Sequence, residues 1–250
     1  MNDKCLDIIT RITVELHKDD DYKQKLGSGV LYFNKQLAGT VYLLTAKHCL
    51  SGFKEREKVS LRFFNPETGT YDYITPVKQN ILLHPIDDAG IVILNQRELS
   101  TIVSDLPPVF IINKNVGFDE AVTKGFPIAS LDQTSETGES SLVTLNMRYL
   151  QEIPTEHAFQ LSTLDDYNED SIKGMSGAGI FIEACEELYL NGIFTRFTDE
   201  DRGKVIYAQK LTSFNELLGN KYKKKMPLAF LGHHGLGHKT FENSVKESVA

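Results

Sequence analysis

About a dozen short β-type runs, separated by turn formers and with little helical periodicity between them, limit this chain to sandwich or barrel architectures. Residues 12–16 alternate apolar and polar side chains, the period of a strand with one buried face. Gly27-Ser28-Gly29 leads into 30–33, and Asn34-Lys35 turns the chain towards 40–44, which predicts a hairpin. Runs at 59–64, 71–74, 81–83 and 91–94 follow, set apart by turns such as Asn65-Pro66-Glu67-Thr68-Gly69. A more helical piece at 96–103 ends near Pro107-Pro108, where a boundary between two lobes is expected. The second half repeats the style at 109–112, 121–123, 142–145, 159–161, 180–182, 189–194 and 205–208. Strands do not alternate with helices, which excludes a doubly wound α/β fold, and no fixed repeat is present. Ser213-Phe214-Asn215-Glu216 has the form of a capping box and predicts a short helix ending near Gly219. Lys221-Tyr222-Lys223-Lys224-Lys225 and the Gly/His-rich stretch after it read as a linker and appendage over 219–250.

Composition narrows the function classes. With 250 residues, 41% of them hydrophobic, the chain can bury a sizeable core. A net charge of −7 argues against a general nucleic-acid binder. No apolar run approaches the roughly 20 residues of a membrane helix, and Met1-Asn2-Asp3-Lys4-Cys5 has no apolar leader core. Cys5, Cys49 and Cys185 are odd in number and form no Cys-x-x-Cys pair, so a reducing, cytoplasmic setting is expected.

Three stretches carry chemistry. In Lys173-Gly174-Met175-Ser176-Gly177-Ala178-Gly179, a serine sits among glycines and precedes an apolar run at 180–182. Glycines let the backbone turn sharply and bring N–H groups close to a bound carbonyl, and the strand anchors the turn. Leu43-Leu44-Thr45-Ala46-Lys47-His48-Cys49 places a histidine directly after an apolar strand. His84-Pro85-Ile86-Asp87-Asp88-Ala89-Gly90-Ile91-Val92 opens a buried strand with an acid, which is costly unless a donor such as an imidazole N–H meets it. A serine hydroxyl is a weak nucleophile at neutral pH. It needs a histidine to take its proton and an acid to fix the imidazole tautomer. Each stretch alone also suits an ordinary turn or strand end; the combination of His48, Asp88 and Ser176 is what points to acyl transfer.

With these residues the chain resembles the chymotrypsin-fold (trypsin-like) serine proteases over roughly residues 8–218. Thr45-Ala46-Lys47-His48-Cys49 is similar to the family's Thr-Ala-x-His-Cys, and Gly174-Met175-Ser176-Gly177 to its Gly-x-Ser-Gly. Asp88-Ala89-Gly90-Ile91-Val92 is similar to its Asp-x-(Ala/Gly)-aliphatic-aliphatic, and Leu190-Asn191-Gly192-Ile193-Phe194-Thr195 to the strand lining its substrate cleft. The resemblance implies an all-β fold of two antiparallel six-stranded barrels, 8–104 and 105–218, with a short C-terminal helix. It implies a triad of His48, Asp88 and Ser176, with Asp87 the alternative acid, and an oxyanion hole from the N–H groups of Gly174 and Ser176. Thr195 would support the acid through its hydroxyl or present backbone to an extended protein substrate.

The chain departs from the family in three places. Met175 stands where family members carry an aspartate that pairs with a freed N-terminus, so activation by cleavage is not expected and an inactive resting loop is consistent with the sequence. Cys49 lacks the disulfide partner of secreted members, since 25–29 contain no cysteine. At the pocket, Asp170 corresponds to an acid that would hold Arg or Lys, whereas Phe197 and Val205 replace glycines and favour a small side chain; both readings stand on sequence alone. No metal or cofactor is expected: the glycines around His233, His234 and His238 argue against a rigid ligand pair. A cytoplasmic protease needs control, and small members of this kind resemble those of bacterial conflict and antiphage systems, which implies a regulatory or sensor partner. A catalytically idle protease-fold scaffold and an esterase are the competing readings. The order His, Asp, Ser excludes an α/β-hydrolase.

Overall fold

Asn2 starts the fold: its side chain accepts the Cys5 N–H at 2.8 Å and caps helix α1 (Asp3–Ile12). Cys5, Ile8, Ile9 and Ile12 fall on one face of α1 and are buried. The structure, a computed structural model, describes residues 1–18, 21–33, 39–53, 57–103, 106, 109–112, 120–128, 142–165, 167, 169–184, 186–200, 203–223, 225–231 and 238–240. The proposed lobe break at Pro107-Pro108, Cys185, His233 and His234 lie outside them.

Seven strands follow α1: β1 (Thr13–Lys18), β2 (Asp21–Tyr32), β3 (Thr40–Thr45), β4 (Val59–Asn65), β5 (Thr70–Ile74), β6 (Gln79–Leu83) and β7 (Gly90–Asn95). They form one antiparallel sheet in the order β5-β4-β1-β2-β3-β7-β6. After the short helix α2 (Ser100–Val103) come β8 (Phe110–Ile112), β9 (Ala121–Gly125), β10 (Val143–Ile153), β11 (Ala158–Thr163), helix α3 (Glu169–Ile172), β12 (Gly179–Ala184), β13 (Glu187–Glu200) and β14 (Gly203–Lys210). Helix α4 (Leu211–Tyr222) precedes β15 (Leu228–Leu231) and β16 (His238–Thr240). The second sheet has the order β12-β9-β10-β11-β14-β13-β8-β15-β16, and an additional β12–β13 pairing closes its first six strands into a barrel.

The expectation of two closed six-stranded barrels therefore holds for the second lobe and is corrected for the first, whose sheet has seven strands and stays open. The edge strands β5 and β6 do not pair with each other, and Pro76 in the connection between them has no N–H to donate. The Gln79 side chain instead ties the start of β6 to the start of β4: its Oε1 accepts the Val59 N–H at 2.9 Å, and its Nε2 donates to the carbonyls of Val59 and Pro76, each at 2.8 Å. The chain after α4 also joins the second lobe, β15 pairing in parallel with β8.

Each lobe has its own core. Leu16, Leu31, Leu43, Leu61 and Val92 pack with Ile9 of α1 and with Phe214 and Leu218 of α4. Met175, Phe159, Leu161, Ile180 and Ile206 fill the closed barrel. Each such side chain contributes roughly 1.5–3 kcal/mol of burial. Strand β1 is buried on both faces, not one. Its polar face carries Glu15, which lies against Lys25 (2.9 Å) and Arg62 (2.8 Å), with Arg62 stacked on Tyr71 at 4.3 Å and reaching Phe126 of the second lobe at 5.7 Å. The second lobe thus covers the face that alternation alone assigns to solvent. Among the described residues no helix is long and apolar enough to cross a membrane.

Candidate active site

The apolar strand β3 ends at Thr45, and the chain then tightens into a single 3-10 turn, Lys47–Cys49, that carries His48. Asp88 precedes β7 and meets His48 with both carboxylate oxygens. Oδ1 accepts the His48 N–H at 3.0 Å, and Oδ2 lies 2.8 Å from Nδ1. This double contact holds the proton on Nδ1 and leaves Nε2 as the atom that can exchange one with a substrate group. The hydrogen bond His48 makes to Asp88 is the leading cause that pushes the His48 pKa up to about 10, against the opposing effect of burial. Burial raises the Asp88 carboxyl, but the hydrogen bond and charge of His48 more than offset this and hold it below its ordinary value. Both shifts favour the charged forms, and half of the His48 side chain is open to solvent.

Ser176 lies in the turn between α3 and β12. Its carbonyl is fixed to the first lobe, accepting the Ser28 N–H at 2.8 Å, with the Cys49 thiol 3.5 Å away. Gly177, at φ +95°, has room for no side chain: a Cβ would stand 1.9 Å from the Ser28 carbonyl oxygen and 2.2 Å from Thr45 Oγ1. Ser28 is the organiser that the sequence did not single out. Its hydroxyl accepts the Phe126 N–H (3.0 Å) and donates to the Gly174 carbonyl (3.2 Å), so one buried side chain ties β2 to the end of β9 and to the start of the serine turn.

The two peptide groups assigned to an oxyanion hole are oriented by their neighbours. The Lys173 carbonyl accepts the Ile128 N–H at 2.6 Å, and the Met175 carbonyl accepts that of Ala178 at 3.0 Å. In a trans peptide the N–H points opposite to the C=O. The N–H groups of Gly174 and Ser176 are therefore turned away from these contacts, and among the described residues neither has a protein acceptor. Met175 is buried in the barrel against Gly125 and gives the serine turn an apolar anchor.

The Ser176 hydroxyl does not bond to His48. It donates to the Thr195 carbonyl at 3.0 Å. His48 and Ser176 nonetheless line one cleft of about 280 Å3 with Ile172, Lys173, Gly174, Phe194, Thr195, Arg196 and Phe197. Thr195 contributes its carbonyl here. Its hydroxyl donates to the Tyr207 carbonyl at 3.0 Å and does not reach the acid, as one reading of the sequence had it. Phe197 is among the residues that line the cleft. Asp170 falls in α3 with its side chain outside those described, and no carboxylate is among the described residues lining the cleft.

Asp87, the alternative acid, faces elsewhere: its Oδ2 accepts the Ser213 hydroxyl at 2.6 Å and lies 3.0 Å from His157 Nδ1. Ser213 is accordingly no helix cap. Helix α4 begins at Leu211, and the serine side chain reaches into the first lobe. The fold is mostly β with one closed six-stranded barrel, loosely compatible with a chymotrypsin-like double barrel. No protein-family description matches the chain, and no curated protein matches its sequence.

Proposed function

We propose that the chain is a serine endopeptidase on a chymotrypsin-like pair of β lobes. Ser176 Oγ attacks a peptide carbonyl while His48 Nε2 takes its proton, then gives it to the leaving amine. Water, activated by the same imidazole, releases the acyl group. Asp88 orients His48 and stabilises the imidazolium, and the Gly174 and Ser176 N–H groups receive the oxyanion, each contributing about 3–4 kcal/mol at the transition state. One observation carries the reading: a histidine gripped through backbone and ring by one carboxylate shares a cleft with a serine whose turn presents two unpartnered N–H groups. Buried free Cys5 and Cys49 suit a reducing cytoplasm.

A second reading, an idle protease-fold binding or scaffold module, is favoured by the Ser176 hydroxyl bonding to Thr195 and not to His48. In the enzymatic reading this is a resting arrangement. It is relieved when His48 loses its proton and the serine side chain rotates, a step that a regulatory or sensor protein can drive.

Ile172, Phe194 and Phe197 give the cleft an apolar wall, which favours a small apolar side chain on the residue whose carbonyl is attacked. Reporter peptides with Ala or Val at that residue are expected to turn over roughly tenfold faster than those with Arg or Lys, and Ser176→Ala to abolish both. The reverse ranking overturns the pocket assignment. Turnover of esters without peptides assigns the chain to other acyl transfer.

A further inference from the structure

Asp87 stands beside the acid of the dyad, yet its side chain points to the other lobe. It is buried, and its Oδ2 gathers the Ser213 hydroxyl of α4 (2.6 Å) and Nδ1 of His157 from the turn between β10 and β11 (3.0 Å), with His84 Nδ1 at 3.6 Å. Gln209 braces the same cluster, donating to Ser213 Oγ at 2.9 Å and to the His157 carbonyl at 2.8 Å. His84 closes the loop on itself: its Nδ1 accepts the Asp87 N–H at 2.9 Å, its backbone N–H bonds to the Ala89 carbonyl at 2.9 Å, and its Nε2 lies 3.6 Å from Glu216.

A second Ser-His-Asp set is thus present, wired unlike a catalytic one. The hydroxyl donates to the carboxylate rather than to an imidazole, so nothing activates it. Among the described residues no group of three or more His, Cys, Asp or Glu is spaced to hold a metal ion. The bonds of His84 order the 84–89 loop internally. The Asp87 contacts, by contrast, reference that loop to the lobe bearing Ser176.

We propose that Asp87 is a positioning residue: by gripping His157 and Ser213 it sets where Asp88 holds His48 relative to Ser176. The inference rests on the peptidase reading for the role of Ser176. The coupling it predicts between Asp87 and the His48–Asp88 pair does not.

His157 makes a clean test because its backbone is left-handed, at φ 46°. Glycine keeps that conformation and removes the donor. Asparagine tolerates it as well and can place Nδ2 where the imidazole Nδ1 lies. The titration of His48 is followed by NMR in the full chain and in His157→Gly and His157→Asn. In the wild type the midpoint is expected well above the ordinary 6.5. In His157→Gly it is expected to fall by about one pH unit, a tenfold loss in proton affinity, and in His157→Asn to stay within about a third of a unit. Both variants remove the same imidazole, so a difference between them reports the hydrogen bond and not a lost charge. Ser213→Ala, which deletes the other contact, is expected to shift His48 in the same direction and decides the matter if His157→Gly does not fold.

An unchanged midpoint in His157→Gly, or equal falls in both His157 variants, overturns the proposal. A wild-type chain that never reacts at Ser176 would sink the peptidase reading and leave this titration to stand or fall by itself.

Discussion

The neighbours of His48 favour its charged form, and that bias sets how the site is expected to respond to pH. The hydrogen bond to Asp88 favours the imidazolium, so the folded pKa lies above 6.5, near 10. A general base must be neutral. The rate of Ser176 acylation is therefore expected to climb with pH through a midpoint well above 6.5. Stability has the opposite dependence: the raised pKa stabilises the fold fully below 6.5, and this contribution fades as pH rises through the folded value. The half-exposed ring keeps that contribution small, since solvent screens the pair. Asp88→Asn keeps the shape and removes the charge. It is expected to lower the acylation midpoint towards 6.5 and to cut the limiting rate by roughly 10⁴-fold, as read from pH–rate profiles of the two proteins. An unchanged midpoint would mean that Asp88 is not the partner of His48. At this scale the sequence was informative because each side chain has a chemical requirement that its neighbours satisfy. Asp88 could be preferred over Asp87 from the small residue and two aliphatics after it. What Asp87 does instead was hidden, because its partners His157 and Ser213 lie 70 and 126 positions away.

The strands were legible as elements, and their edges were less so. The runs at 40–44, 59–64 and 91–94 lie inside strands β3, β4 and β7, where β-branched and aromatic residues cluster between turn formers. Helix α1 went unread although Cys5, Ile8, Ile9 and Ile12 carry its 3.6-residue period and Asn2 its cap. Ser213 was misread because a capping box and an inter-lobe hydrogen bond use the same residue type. Strand β1 shows the limit of alternation most clearly. Glu15 occupies a position that reads as solvent-facing, but it is buried beside Lys25, Arg62 and His17, and tertiary contact decides that. Burial raises the Glu15 carboxyl, while His17, Lys25 and Arg62 together bring it down to about 2. The stability it confers is then present above about 4.5 and lost as pH falls towards 2. Glu15→Gln removes the carboxylate that Lys25 and Arg62 share and is expected to cost about 3–5 kcal/mol. At roughly 2–4 °C per kcal/mol for a chain of this size, calorimetry should show a drop in Tm of about 6–20 °C. A change under about 2 °C would contradict the assigned pairing.

At the scale of the whole molecule, the candidate site exists only because two lobes meet. His48 and Asp88 come from the first sheet and Ser176 from the loop entering β12 of the second, with Ser28 bridging them through Ser176, Gly174 and Phe126. Chain order made the three residues recognisable as a set. It did not disclose Ser28, an unremarkable serine between two glycines, nor that Met175 anchors the serine turn through apolar packing. That the first sheet stays open was also out of reach, since it depends on which distant strands pair, the Gln79 amide bonding to Val59 across the gap. The central claim is that these parts assemble a nucleophile at Ser176. The direct measurement is covalent labelling of the full chain by a fluorophosphonate, followed across pH, with Ser176→Ala as control and the modified residue located by peptide mass spectrometry. The account predicts labelling at Ser176 alone, faster as pH rises and absent in Ser176→Ala. Equal labelling of both proteins, or none in the wild type at any pH where it stays folded, would contradict it.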